Sequence, residues 1–207
     1  MKAMFSNGAR DAGILLVFTV AFTALMAGAY LLTRDTVQRN EAEARASQIR
    51  AVLPAGSFDN DLLADSRALP KADAVKLGAA DSSHVYLAKK SGQTVAAVLE
   101  AVAPDGYAGQ IKLLVAVARD GQALGVRVVA HKETPGLGDY IEAAKSDWIH
   151  QFDGKSLSAP PAERWNVKKD GGAFDSTAGA TISPRAVVRA VKTTLEYVNE
   201  NRQRIFE

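Results

Sequence analysis

Cysteine is absent from the 207 residues. That excludes disulfides, thiolate-held iron–sulfur clusters, zinc–thiolate sites and any haem or flavin linked through sulfur. Histidine is nearly absent too. His84, His131 and His150 are the three present, and no two have the close helical spacing of a zinc or haem site. Charge of one sign is also missing: the formal net charge is +2 and there is no long basic run, so the electrostatic footprint of a nucleic-acid binder is lacking. No Gly-x-Gly-x-x-Gly fingerprint for a nicotinamide dinucleotide occurs. Ser176 and Ser183 lack the Gly-x-Ser-x-Gly setting of a hydrolase nucleophile. A redox role, if present, therefore needs a cofactor held without thiols.

What the chain does have is a long uncharged run. From Ala12 to Thr33, 22 residues rich in Leu, Val, Phe and Ala rise roughly 33 Å as a helix, enough to cross a bilayer. Ala27-Gly28-Ala29 is small enough for a signal-peptide cleavage site, but Tyr30-Leu31-Leu32 continue the apolar run past it, which favours a retained anchor. Lys2 and Arg10 on one flank nearly balance Arg34 and Arg39 on the other, so the count of basic residues determines orientation only weakly. A short tail inside, over residues 1–11, and a large domain outside is the expected topology.

Residues 34–80 are expected to form a helical stalk and a connection, with Pro54-Ala55-Gly56 ending the helix. From Val85 onward strand-like runs appear at 85–88, 94–100, 111–117 and 125–129, punctuated by Ser91-Gly92, Asp105-Gly106 and Asp120-Gly121. Such spacing reads as an antiparallel meander. A short helix is expected over 139–145 and a longer one from Pro184 to Asn201, its stripe formed by Val187, Val188, Val191, Leu195 and Val198. The predicted fold class is α+β: one transmembrane helix over 12–33, then, over 81–207, a mixed, mainly antiparallel sheet with flanking helices. Trp148 and Trp165 fit core packing better than cofactor stacking.

Two loops stand out. In Asp175-Ser176-Thr177-Ala178-Gly179-Ala180-Thr181-Ile182-Ser183-Pro184, small residues run into a helix start, with Ser183 expected as the cap and Pro184 in the first turn. The dipole of that helix faces Thr181 and suits a phosphate; taken alone, the stretch equally fits a plain tight loop. In His131-Lys132-Glu133-Thr134-Pro135-Gly136-Leu137-Gly138, a strand breaks into a sharp turn. Gly136 and Gly138 let backbone approach a planar ring, Leu137 can cover a ring face, and Thr134 or backbone N–H groups can reach its polar edge. By itself this segment is also what an ordinary hairpin or strand-to-helix connection looks like. Glu133 fits either orienting the loop or meeting a partner, and His131 lies beside it.

Gly179-Ala180-Thr181-Ile182-Ser183 resembles the flavinylation motif of FMN-binding domains, Ser/Thr-Gly-Ala-Thr-x-Ser/Thr, with Ala178 where that family often has serine or threonine. The 131–138 segment is similar to the flavin-facing loop of the same domain, and Gly106-Tyr107-Ala108-Gly109 falls within the resemblance. The resemblance implies FMN bound covalently by a phosphoester to Thr181 and attached by a separate flavin transferase that uses FAD. It implies flavin contacts from Glu133, Thr134, Gly136, Leu137, Gly138, Gly179, Ala180, Ile182 and Ser183, with no metal. Length and single anchor most resemble the G subunits of Rnf (Rsx) ion-translocating electron-transport complexes. These imply an electron relay between ferredoxin and a nicotinamide pool, a redox subunit and not a stand-alone enzyme. Other complex subunits and membrane lipid are the implied partners, in a bacterial inner membrane with the flavin domain in the periplasm. The C subunit of sodium-translocating NADH:quinone oxidoreductases, typically longer, and a membrane-anchored binding module without flavin are the alternatives.

Overall fold

The computed structural model describes residues 2–207, with the side chains of residues 2–7 and 9 set aside; Met1, part of the expected tail, lies outside the described residues. The chain divides into two compact units, residues 1–45 and 46–207.

Helix α1 runs unbroken from Lys2 to Arg50. Between Ile14 and Leu32 its large apolar side chains stand exposed around the helix, among them Leu15, Leu16, Val17, Phe18, Phe22, Leu25 and Met26. It is the one helix in the described residues long and apolar enough to cross a membrane. Its two buttressed hydroxyls suit that solvent: Thr19 Oγ1 donates to the carbonyl of Leu15 and Thr33 Oγ1 to that of Ala29, each at 2.8 Å. Neither then needs a partner from lipid.

The second unit is built on five strands, β1 (Ser66–Ala68), β2 (His84–Lys90), β3 (Gln93–Gly106), β4 (Gly109–Ala118) and β5 (Ala123–Ala130). Each pairs antiparallel with the next, giving the order β1-β2-β3-β4-β5. The expected meander is present. Side chains alternate across the sheet, and both faces are covered. On one face Val85, Leu87, Ala97, Leu99, Ile111, Leu113, Val115 and Val117 meet helix α3 (Ile182–Glu200) and an aromatic group of Trp148, Phe152, Trp165 and Phe174. On the other, Tyr86, Ala88, Val98, Leu114 and Ala116 meet Ile49, Val52, Leu53 and Leu62, so the last turn of α1 and the segment after it belong to this core. The contact is close enough to select glycine: a Cβ on Gly125 of β5 would lie 2.6 Å from the carbonyl oxygen of Val52.

Along α3 the buried stripe is the expected one, Val187, Val188, Val191, Leu195 and Val198, none more than 2% exposed. Each such side chain contributes about 1.5–3 kcal/mol when withdrawn from water. The helix expected over 139–145 is a single 3-10 turn, Asp139–Ile141. Residues 34–80, expected as a stalk and a connection, also supply strand β1 of the sheet and a short helix α2 (Lys71–Lys76).

The carboxyl end is tied down by charge. Arg204, in helix α4 (Arg202–Phe206), donates through Nη2 to Asp73 Oδ2 and to the Tyr197 hydroxyl, both at 2.7 Å. The guanidinium hydrogen bond holds the Asp73 carboxyl below its ordinary value near 3.8, and burial, with the Asp73 charge close by, pushes the Tyr197 phenol up to about 12. A carboxyl whose pKa is lower folded than unfolded stabilises the fold above its unfolded pKa and loses that contribution as pH falls through the folded one. Urea unfolding should therefore show wild type ahead of Asp73→Asn by roughly 1 kcal/mol at pH 6, with the gap closing below about pH 4. A gap unchanged at pH 3 would show that the ion pair does not stabilise the fold.

Candidate functional site

Three segments distant in sequence meet at one end of the sheet, the β3–β4 turn around Tyr107, the loop after β5 and the start of α3, and Lys169 reaches in from a fourth. They enclose a cavity of about 330 Å³, at the lower end of the range for small-ligand sites. Its lining is Tyr107, Glu133, Thr134, Leu137, Gly138, Lys169, Gly179, Ala180, Thr181, Ile182 and Ser183.

Glu133 joins the three segments. It is 5% exposed; its Oε1 accepts from the Ala108 backbone N–H at 3.1 Å and its Oε2 from the Ser183 hydroxyl at 2.5 Å. A buried carboxylate needs such donors, and the hydrogen bonds are stronger for its charge. Gly138 leaves room for it: a Cβ there would sit 2.5 Å from Glu133 Oε2. Behind the loop, His131 Nδ1 accepts the Glu133 N–H at 2.9 Å, which makes Nε2 the protonated nitrogen that pairs with Glu142 Oε1. His131 thus shapes the loop and is not among the residues lining the cavity. The turn itself is closed by the N–H groups of Leu137 and Gly138 donating to the Thr134 carbonyl, and by the Gly136 N–H donating to Asp139 Oδ1 at 2.8 Å.

The third wall departs from expectation in its detail. Helix α3 begins at Ile182, two residues before Pro184, and Thr181 holds the N-cap position while its side chain makes no capping bond. Of the two N–H groups a cap hydroxyl can reach, the second and third of the helix, the third is missing at Pro184. Thr181 itself takes a helical backbone, φ −95° and ψ −13°, where a capping residue is normally extended. Ser183, expected as the cap, lies inside the first turn, buried, with its hydroxyl committed to Glu133. The approach to Thr181 is held from behind: the Tyr140 hydroxyl donates to the Ala180 carbonyl at 3.1 Å and accepts from the Thr177 N–H at 3.0 Å. Trp148 Nε1 donates to the Asp175 carbonyl at 2.6 Å. Gly179 turns the chain at φ 84°, a conformation that suits glycine.

Of the ten residues singled out from the sequence, the structure places nine on the cavity: Glu133, Thr134, Leu137, Gly138, Gly179, Ala180, Thr181, Ile182 and Ser183. Gly136 lies in the same loop, at φ 77°, without lining it. Trp148 and Trp165 pack in the core, as expected of isolated large aromatics. Sequence reasoning did not pick out Lys169 at all, and took Tyr107 only as part of a longer match. Nothing local marks either one, since each reaches the cavity from a turn whose position is set by the tertiary fold. Charges nearby are mostly paired: Arg185 Nε and Nη2 meet Asp170 at 2.6 and 3.0 Å, which lowers the pKa of the Asp170 carboxyl, and Lys168 meets Asp175 at 2.6 Å.

A model described as FMN-binding domain matches residues 106–196, and one described as RnfG N-terminal region matches residues 1–52. The G subunit of the ion-translocating oxidoreductase complex of Pseudomonas aeruginosa is 50% identical, covering 95% of this chain and 91% of that protein. Its namesake from Vibrio cholerae serotype O1 is 45% identical, over 93% of this chain and 90% of that one. Among solved structures, Shewanella oneidensis NqrC aligns with 25% identity and a TM-score of 0.49, over 73% of this chain and 72% of that one. With half its residues shared along nearly the whole length of such a relative, the chain belongs to the family of ion-translocating oxidoreductase complex G subunits, and its carboxyl-terminal part to the FMN-binding domains.

Proposed function

We propose that the chain is the electron-carrying G subunit of an Rnf-type (Rsx) ion-translocating complex, with one FMN joined through its phosphate to Thr181 Oγ1. The carrying observation is that two separate sequence motifs wall one cavity and leave the Thr181 hydroxyl without a capping partner. The lining suits the group: an apolar side chain (Leu137) and small residues for a planar ring, Lys169 and the first-turn N–H groups for negative charge, and an alcohol for the ester. Attachment needs a flavin transferase and FAD. The Thr181 oxygen forms a bond to the FMN phosphorus, the bond to the AMP phosphate breaks, and the hydroxyl proton leaves to the transferase.

Once bound, FMN supplies transfer of one or two electrons. The protein's share is to hold it: Glu133 fixes the turn and the helix start, Leu137 shields a ring face, and Thr134 on the cavity wall offers its hydroxyl to the polar edge. Residues 12–33 cross the inner membrane among lipid, with the flavin domain on the periplasmic side, where a covalent bond prevents loss of the cofactor. Neighbouring subunits of the complex deliver and remove the electrons. The identity to named G subunits and the match over residues 1–52 favour this reading over the C subunit of a sodium-translocating NADH:quinone oxidoreductase.

The test is intact mass of the chain produced with an active flavin transferase, followed by fragmentation. An FMN phosphoester on Thr181 is the expected result; an unmodified chain, with a control substrate modified in parallel, rejects the proposal. A second prediction concerns Leu137, which is 60% exposed at the mouth of the cavity. Leu137→Asp should leave folding intact, because nothing buried is lost, yet shift the flavin absorption and lower its reduction potential by adding a negative charge beside the ring. An unchanged spectrum and potential would remove Leu137 from the ring's surroundings.

A further inference from the structure

Another hollow opens on the second unit, separate from the cavity at Thr181. It measures about 470 Å³ and is lined by Gln151, Lys155, Ala159, Pro160, Ala173 and Phe174. None of these residues lines the flavin cavity, and the flavin reading gives none of them a role.

Its walls are held in place. Phe174, the floor, is 2% exposed and packs with ring centres 4.8 Å from those of both Phe152 and Trp165. Trp165 Nε1 donates to the carbonyls of Ser156 and Pro160, at 3.2 and 3.1 Å, which pins the turn that carries Ala159 and Pro160. Backbone hydrogen bonds between Ser156 and Ala159 close that turn. Gln151 is fixed at both ends of its amide: Oε1 accepts from the Asp175 N–H at 2.7 Å, and Nε2 donates to the Trp148 carbonyl at 3.1 Å. One group is left over. The Lys155 ammonium has no hydrogen-bond or ion-pair partner among the described residues. Two carboxylates near it in sequence or beside the wall are already taken, Asp153 by His150 at 2.8 Å and Asp175 by Lys168 at 2.6 Å.

A preformed apolar hollow with one unpaired cation is complementary to an apolar group beside a carboxylate. Small-molecule sites close around the ligand and carry several polar groups; this one is open and has a single charge. An anchor side chain inserted from a protein surface needs no such closure. Resting on the proposal that the chain works among other subunits, we infer that this hollow seats a neighbouring subunit. The neighbour inserts an apolar side chain against Phe174 and Pro160 and sets a carboxylate on Lys155. Gln151 joins the hollow to Asp175, where the stretch leading to Thr181 begins, so the neighbour rests against the support of the flavin loop. The seat does not depend on FMN being attached.

The experiment has two arms. In the first, the full chain in detergent is titrated with N-acetyl-L-phenylalanine, which carries an apolar ring beside a carboxylate, and with its uncharged amide. NMR follows the indole N–H of Trp165 and the side-chain amide of Gln151. Saturable shifts with the acid are expected, with a Kd of about 1 mM for a ligand of this size. Binding should be several-fold weaker for the amide and in Lys155→Met, and recovered in Lys155→Arg. Lys155 is exposed, so neither change threatens folding. Wall resonances that stay still, or acid and amide that bind alike, overturn the site. In the second arm the purified complex carries a benzophenone side chain in place of Ser158, which is exposed next to Ala159. A cross-link to an acidic segment of another subunit is expected, and it should be lost when Lys155→Glu is added. Failure of the chain to co-purify with other subunits rejects the complex reading and this inference together, whereas an intact complex without that cross-link rejects this inference alone.

Discussion

Thr181→Ala, produced beside an active flavin transferase, is expected to fold as wild type does and to carry no flavin through denaturation. The loss should be complete, because the side-chain oxygen is the atom that forms the ester and the hydroxyls flanking it in sequence are not placed to replace it. Ser183, two residues on, is buried with its hydroxyl given to Glu133. Thr177, on the other side, is four residues upstream across the turn at Gly179. Stability should change little, since Thr181 makes no capping bond, and the roughly 1 kcal/mol that a cap usually contributes is not there to lose. Thr181→Ser keeps the oxygen and is expected to regain the adduct. Flavin mass retained on Thr181→Ala would move the attachment elsewhere and undo the assignment.

The second large effect is expected at Glu133. Glu133→Ala strips two donors of their acceptor at once, the Ala108 N–H and the Ser183 hydroxyl. Each hydrogen bond to a buried charge is worth about 1.5–3 kcal/mol, so the unfolding free energy should fall by roughly 3–6 kcal/mol. Ser183→Ala removes only one donor and should cost less, about 1.5–3 kcal/mol by the same principle. The two changes share a partner, so they should not add: the double variant should sit close to Glu133→Ala alone. Chemical denaturation of the four proteins measures this. Strict additivity would mean that Glu133 and Ser183 do not act together, and the site would lose the clamp described above. Flavin loading of the folded fraction should also slow, because the start of α3 would no longer be held against the loop.

The reasons for what the sequence revealed differ from element to element. Strand β3 was legible because its side chains alternate between two apolar faces, with Ala97 and Leu99 on one and Ala96 and Val98 on the other. Its turns are marked by Gly-containing pairs, so neither signal depended on distant residues. The stripe of α3 was legible for the same local reason, although its start was misplaced by two residues. Proline is tolerated anywhere in the first turn and so marks the turn, not its first residue. The role of Ser183 was not legible, because its partner Glu133 is fifty residues away and capping is the usual work of a serine there. The short helix expected over 139–145 shrank to one turn, with Asp139 and Ile141 buried, since helix propensity yielded to packing in so short a piece. Tyr107 and Lys169 reach the cavity only through the fold.

Cutting the chain for work in water calls for attention to the sheet's second face. The natural place to trim is after the apolar run, but Ile49, Val52 and Leu53 lie beyond it and fill the back of the sheet against Tyr86, Val98 and Leu114. A soluble fragment that begins at Ala46 or earlier keeps this layer. One that begins at Val85, where the regular strand pattern starts, bares a broad apolar surface of the kind that drives aggregation, and its insolubility would then report the position of the cut and nothing about the flavin site.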